Sequence, residues 1–420
     1  MDNSSKHQSY SWIESSVKNY LILFILWPFL AFILALKNYS QKNSRKVVYF
    51  FLIYYGLTFV NNNQYVDAYR YALNLKATAL VPFSDFGKVI KGLYSDTTVD
   101  IVEPFISFVV SRFTSYSGIY FAVWAAIFGF FYLKSINQLY NRYQENRSLN
   151  ALVPMLFFVS IAPITLISSV RMWTAAWIFL YGAYHVVIYR DRRYLLLALA
   201  ASLLHWSFLS ANFILLIYTF AGNRNYIYLP LAVVSFIVPT IVAPYLQSVS
   251  TSMGGAIQNR YEGYSSEGFM LSQQESLEQA SWFLKIGNNL VFYYLLFAIL
   301  IIRIRTKMED SENEGPERNL YSFVLLFLTF INFGSTIPSF GSRFKVLFFL
   351  LATMYIFLYT VRRPATKINW FTVLGLFPMV LYTAINFRTG SESISVWLFS
   401  PVLGSPFVTS ATSLAEILFY

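Results

Sequence analysis

The chain is 420 residues long, 56% hydrophobic and 20% aromatic, with only 12% charged, which excludes an ordinary soluble domain and identifies an all-α polytopic integral membrane protein. It has no cysteine, so disulfides and thiolate chemistry are excluded, and its three histidines, His7, His185 and His205, include no pair at metal-ligand spacing, so no metal is expected. A net charge of +11 would suggest nucleic acid in a soluble protein, but here the basic residues cluster in short loops between apolar runs, the mark of a cytoplasmic membrane face, and no nucleic-acid partner is expected.

The first 20 residues are polar and carry both acid and base; the apolar run 21–36 is followed by charge, not by a small-residue cleavage motif, and reads as an uncleaved first helix. Apolar runs then recur at 47–60, 117–133, 150–168, 170–189, 194–209, 210–222, 226–246, 282–302, 320–336, 343–360 and 369–387, about twelve spans in all when the first is counted from residue 20. The basic loops, Lys37 to Lys46, Lys134 to Arg147, Arg190 to Arg193, Arg303 to Lys307 and Arg362 to Lys367, all fall on one cytoplasmic side if 194–222 crosses twice and 96–116 does not cross. Both chain ends are then expected outside. The segment 104–113 is apolar but too short to cross, which predicts a re-entrant or interfacial helix. The whole of 1–420 reads as a single transmembrane domain, with 61–116 an outer loop containing that short helix. The glycine- and serine-rich stretch 247–281 reads as a second, mobile outer loop, either a lid or a plain linker.

The stretch 168–210 concentrates the chemistry. It is two apolar helices joined by the turn Arg190–Asp191–Arg192–Arg193, with Arg171 opening the first and His205 near the far end of the second. Both residues therefore sit away from the basic turn, at one membrane face, where ionisable groups are costly unless they meet protein or water. Arg171 offers a planar fork of donors suited to a diphosphate, or else it snorkels to the interface. His205 can take a proton from a hydroxyl, and Trp206 beside it gives a stacking face for a sugar; an interfacial histidine in an aromatic belt is the plainer reading. His185 lies near the cytoplasmic end of its helix and reads as structural. Arg343 repeats the geometry of Arg171 at the start of a later span, and Arg260 in the loop 247–281 is a third outer cation. Asp67, Tyr69 and Arg70 follow the second span at the outer surface; Asp67 could act as a general base or orient an arginine, and Tyr69 suits a carbohydrate. Glu103 starts the short helix, where the helix dipole favours a carboxylate.

Taken together, Asp67 and Tyr69 as D-x-Y, Glu103–Pro104 before a short apolar segment, Arg171 opening a span of small and aromatic residues, a basic turn, and His205 with Ser207 as H-x-S resemble the EpsG-like branch of the Wzy polysaccharide polymerases. The likeness covers about residues 47–220 in order, and Arg343–Phe344 resembles a later arginine of the pattern. Met172 stands where the family commonly has glutamine, and Tyr65–Val66–Asp67 where it usually has Gly-x-Asp. The resemblance implies a glycosyltransferase of the bacterial inner membrane, facing the periplasm or exterior, that joins oligosaccharide units carried on undecaprenyl diphosphate. It implies no cofactor, and as partners the lipid-linked oligosaccharides, membrane lipids, a chain-length regulator and a flippase. On this reading Arg171, Arg343 and Arg260 bind diphosphate, one of His205 and Asp67 activates the acceptor hydroxyl while the other orients it, and Tyr69, Glu103 and Trp206 contact sugar. The rival readings are a lipid-linked oligosaccharide flippase, which should line a cavity with polar groups through the full membrane depth, and a sugar acyltransferase.

Overall fold

The computed structural model describes residues 20–62, 64, 66–87, 100–237, 282–308, 315–335, 337–363, 367–401 and 412–420. The predicted mobile loop 247–281 and Arg260 within it lie outside the described residues. Among the described residues the elements are helices, and the one strand-like pairing is an isolated bridge between Ser395 and Ser413. The protein is an all-α membrane protein.

Among the described residues, five stretches are long and apolar enough to cross a bilayer: Ser117–Glu145, Leu149–Tyr189, Ile286–Thr306, Phe340–Arg362 and Trp370–Gly390. The second is two helices in series, α6 (Leu149–Ile161) and α7 (Val170–Tyr189), because Pro163 interrupts the backbone ladder and the turn Ile164–Ser169 is a 3-10 helix. The remaining apolar runs form shorter helices, among them α1 (Pro28–Lys37), α4 (Val102–Ser111), α8 (Tyr194–Leu204), α9 (Phe208–Ala221) and α10 (Asn225–Val234). The others are α2 (Lys42–Leu57), α3 (Asp67–Ala79), α5 (Ser117–Glu145), α11 (Trp282–Met308), α12 (Pro316–Gly334), α13 (Pro338–Arg362), α14 (Trp370–Gly390) and α15 (Leu414–Phe419).

The 20 residues of α7 are apolar on every side, and such a helix is stable only when surrounded by protein. It packs against α5, α8, α9 and α12. At about 1.5 Å per residue it is roughly 30 Å long, so its two ends mark the two faces of the hydrocarbon layer. Gly182 lets α8 come close: a Cβ there would lie 2.9 Å from the Ala198 backbone nitrogen. Small residues permit such contacts in a membrane, where dispersion rather than the hydrophobic effect holds helices together.

The continuous apolar stretch 194–222 folds as a hairpin. α8 stops at His205, whose backbone is extended at φ −148°, and α9 turns back beside α8. Asn212 of α9 donates to the Ala198 carbonyl and to the Ser202 hydroxyl, both at 2.9 Å. His205 is thereby held at the same end of the bundle as the start of α7. The short helix expected at 104–113 is present as α4. Among the described residues, the stretch 61–116 also carries α3, which the sequence reading did not expect. α3 forms because Ala68, Tyr71, Ala72 and Leu75 recur at helical spacing and bury one face, while Arg70 and Lys76 stay outward.

The basic turns gather at the other end. Arg45 donates to Asn141, Arg142 to Tyr189, Arg190 to Asn319 and Arg363 to Glu317, and the Lys367 carbonyl accepts from Asn150.

Candidate active site

The start of α7 places Arg171 between two polar residues, Asp100 and Tyr71. Its Nη1 lies 2.6 Å from Asp100 Oδ2, its Nε donates to the Tyr71 hydroxyl at 2.8 Å, and its guanidinium carbon lies 5.6 Å from the centre of the Tyr71 ring. A cation in the first turn of a helix opposes the helix dipole, so a fixed carboxylate beside it offsets an unfavourable position. Nη2 takes no hydrogen bond among the described residues, and the side chain is 27% exposed, which leaves one edge of the guanidinium for a ligand.

Asp100 is 1% exposed and uses both oxygens: Oδ2 faces Arg171, and Oδ1 accepts from the backbone N–H of Trp206 at 2.8 Å. The next residue, Ile101, donates its backbone N–H to the Leu203 carbonyl at 3.1 Å. One buried carboxylate thus ties the start of α7 to the turn between α8 and α9. Arg171 and His205 stand on the same side of the membrane layer, joined through Asp100.

Tyr71 and Asp67 lie four residues apart on one face of α3. Burial pushes the Tyr71 phenol up to about 12, with Arg171 pulling the other way, so it keeps its proton at neutral pH. Asp67 pairs with Arg70 and accepts from the Ser169 hydroxyl at 3.1 Å. Ser169 occupies the N-cap position of α7 but gives its hydroxyl to Asp67 instead of capping the helix. Glu103 is buried and accepts from the Tyr120 hydroxyl at 2.9 Å. Burial raises its carboxyl above the ordinary range, while the Tyr120 hydrogen bond and the Arg171 charge pull it down. The rings of Tyr71 and Tyr120 are 6.4 Å apart, so the two carboxyl clusters share one wall.

His205 is buried, with Nδ1 3.2 Å from the Ser207 hydroxyl. Its ring meets Phe208 edge-on at 6.4 Å, and Phe208 in turn packs at 5.5 Å on Phe344, the neighbour of Arg343. Arg343 is half-buried near the start of α13, and its guanidinium makes no hydrogen bond or ion pair among the described residues. Tyr69 and Trp206 are half-buried; Tyr69 uses its backbone N–H on the Val66 carbonyl. Beside the start of α3 lies a cavity of about 150 Å3 with a polar rim that includes Asn61, Asn62, Thr165, Ser168, Thr389 and Glu392.

The structure therefore joins Asp67, Glu103, Arg171 and the His205–Trp206 turn into one polar network, and connects Arg343 to it through two phenylalanines. Sequence reasoning missed Asp100, Tyr71, Tyr120 and Ser169 as members. One spacing could have pointed to Tyr71, which follows Asp67 by four residues, a single helical turn.

No curated protein and no solved structure matches this sequence. Residues 47–397 match the EpsG family, a stretch that runs from α2 through α14 and includes Asp67, Asp100, Glu103, Arg171, His205 and Arg343. The chain belongs to the EpsG family.

Proposed function

We propose that the protein is a polysaccharide polymerase: a membrane glycosyltransferase that joins undecaprenyl-diphosphate-linked oligosaccharide units at the outer face of the bacterial inner membrane. The observation that carries this reading is Arg171, fixed by Asp100 and Tyr71 with one guanidinium edge uncommitted, at the membrane end that also holds His205. Family membership supports it.

In the reaction the bond between the anomeric carbon of the growing chain and its diphosphate oxygen breaks. A new carbon–oxygen bond forms to a hydroxyl of the next lipid-linked unit, the hydroxyl proton passes to a base, and the lipid diphosphate leaves. Arg171 stabilises the charge that develops on the leaving diphosphate, and Arg343 supplies a second cation. Tyr71, still protonated, adds a hydrogen-bond donor to the same oxygens. His205 or Asp67 receives the proton. Asp67 reaches that role only by giving up Arg70, which favours His205 as base and Asp67 as the group that orients α3 against α7. Tyr69, Glu103 and Trp206 contact sugar, and the cavity beside α3 has room for part of a sugar unit.

Loss of one donor from a developing oxyanion costs on the order of a hundredfold in rate. In cells lacking the native protein, Arg171→Ala at equal expression should therefore leave single repeat units on the lipid carrier at the outer face and shorten or abolish the polymer. Normal chain length would refute the site. Accumulation of the units at the inner face would instead identify a flippase.

A further inference from the structure

At the end of the molecule opposite Arg171, a cavity of about 160 Å3 opens between the α7–α8 turn and the end of α9, lined by Val186, Arg190, Arg192, Tyr218, Thr219 and Gly222. The backbone builds it. Arg190 ends α7 in the left-handed conformation at φ 57°, which swings the chain sharply into α8. Gly222 ends α9 at φ 66°, and the space beside it is open.

The charge lining this cavity is unbalanced. Among the described residues of the adjoining turns, Asp191 is paired with Arg193, and Glu317 with Arg362 and Arg363. Among the described residues the Arg190 guanidinium donates only to the neutral amide oxygen of Asn319, and the Arg192 guanidinium makes no hydrogen bond or ion pair. Two guanidiniums thus line a recess whose described lining contains no carboxylate. The helices beside it present apolar side chains outward: Leu196 of α8, which follows the turn, is 75% exposed, and Phe213 and Phe220 of α9 are 62% and 80% exposed, side chains that lie against hydrocarbon in a membrane protein. Thr219 donates its hydroxyl proton to the Leu215 carbonyl, which leaves its oxygen lone pairs to accept from a hydroxylated ligand.

We propose that this cavity binds the phosphodiester headgroup of an anionic phospholipid, with Arg190 and Arg192 on the phosphate and the acyl chains along α8 and α9. A cavity of about 150 Å3 accepts a benzene-sized group, so the volume is sufficient for a phosphate. Paired arginines match its oxygens in a planar fork, and basic pockets between helices at a membrane surface recognise such headgroups. The site is separate from the Arg171 network and does not depend on the reaction proposed there.

The test is native mass spectrometry of the purified full chain, titrated with phosphatidylglycerol or with phosphatidylcholine of the same acyl chains. The expected result is preferential retention of phosphatidylglycerol. Arg192→Gln, whose guanidinium has no partner among the described residues, should weaken that retention roughly tenfold, as the loss of one charged hydrogen bond does. Arg190→Asn, which tolerates the left-handed backbone, should do the same. Arg147→Gln, an exposed arginine on another turn of this end, should leave retention unchanged. Equal retention of both lipids, unaltered binding in Arg192→Gln and Arg190→Asn, or an equal loss in Arg147→Gln would overturn the proposal. So would displacement of the lipid by excess inorganic phosphate, which would show a site for free phosphate instead.

Discussion

Asp100 commits one oxygen to Arg171 and the other to the Trp206 N–H in near-complete burial, so it positions both flanks of the candidate site. Removing one partner of a buried pair costs about 3–5 kcal/mol because the other charge is left uncompensated. Asp100→Ala is therefore expected to damage folding, whereas Asp100→Asn keeps the shape and the acceptor for Trp206. In complementation assays Asp100→Asn should shorten the polymer, and combining it with Arg171→Ala should add little beyond Arg171→Ala alone, since both act on one interaction. Additive losses would show that Asp100 acts independently. Glu103 carries a separate pH signature. Its carboxyl is raised in the folded protein, so folding favours the protonated form; that stability is present below the ordinary value of 4.5 and is lost as pH rises through the folded value. The unfolding temperature of the wild type relative to Glu103→Gln should fall as pH rises above 4.5, and a flat difference would refute the shift. Arg171 and His205 were legible in the sequence because an ionisable residue stands out in an apolar run. Asp100 was not, since it was one of five acids in a stretch without periodicity, and only the docking of that stretch against α7 and α8 distinguishes it.

Among the elements, the contact between α7 and α8 sets the distance from Arg171 to His205, because each residue stands at an end of one of these helices. Gly182 is the point of closest approach, where an added Cβ would meet Ala198 backbone and side chain at 2.9–3.1 Å. Gly182→Ala is expected to cost about 1–3 kcal/mol as an overpacking change. It should lower the detergent unfolding temperature and also reduce polymer length by shifting α8. An unaltered unfolding temperature would mean that the helices part without penalty. The hairpin of 194–222 was half legible: its length demanded two segments, and the turn at His205–Ser207 follows from that. The helix α3 was overlooked because its charged outward face makes the stretch look like a loop, although its buried residues keep helical spacing.

At the scale of the whole molecule, hydrogen bonds link the basic turns into one face, and the polar network occupies the other. The charge pattern of the loops made this polarity readable without any contact information, because each short basic turn had to return to the same side. Its orientation is open to a direct test, since the cysteine-free chain gives no background to thiol reagents. Leu80→Cys, exposed at the Arg171 end, should react with a membrane-impermeant maleimide added to intact spheroplasts. Glu145→Cys, exposed at the basic end, should react only after permeabilisation. The reverse pattern would invert the topology and remove the outer-face reaction.

The cavity beside Asp67 draws its walls from three distant parts of the chain, residues 59–68, 165–168 and 389–393, and the Ser393 carbonyl accepts from the Val60 N–H at 3.1 Å. During synthesis the first two parts enter the membrane long before the third is translated. A nascent chain therefore contains both Arg171 and Asp100 while one wall of the recess is still missing. Until α14 has been inserted, the recess beside Asp67 lacks the wall that residues 389–393 supply.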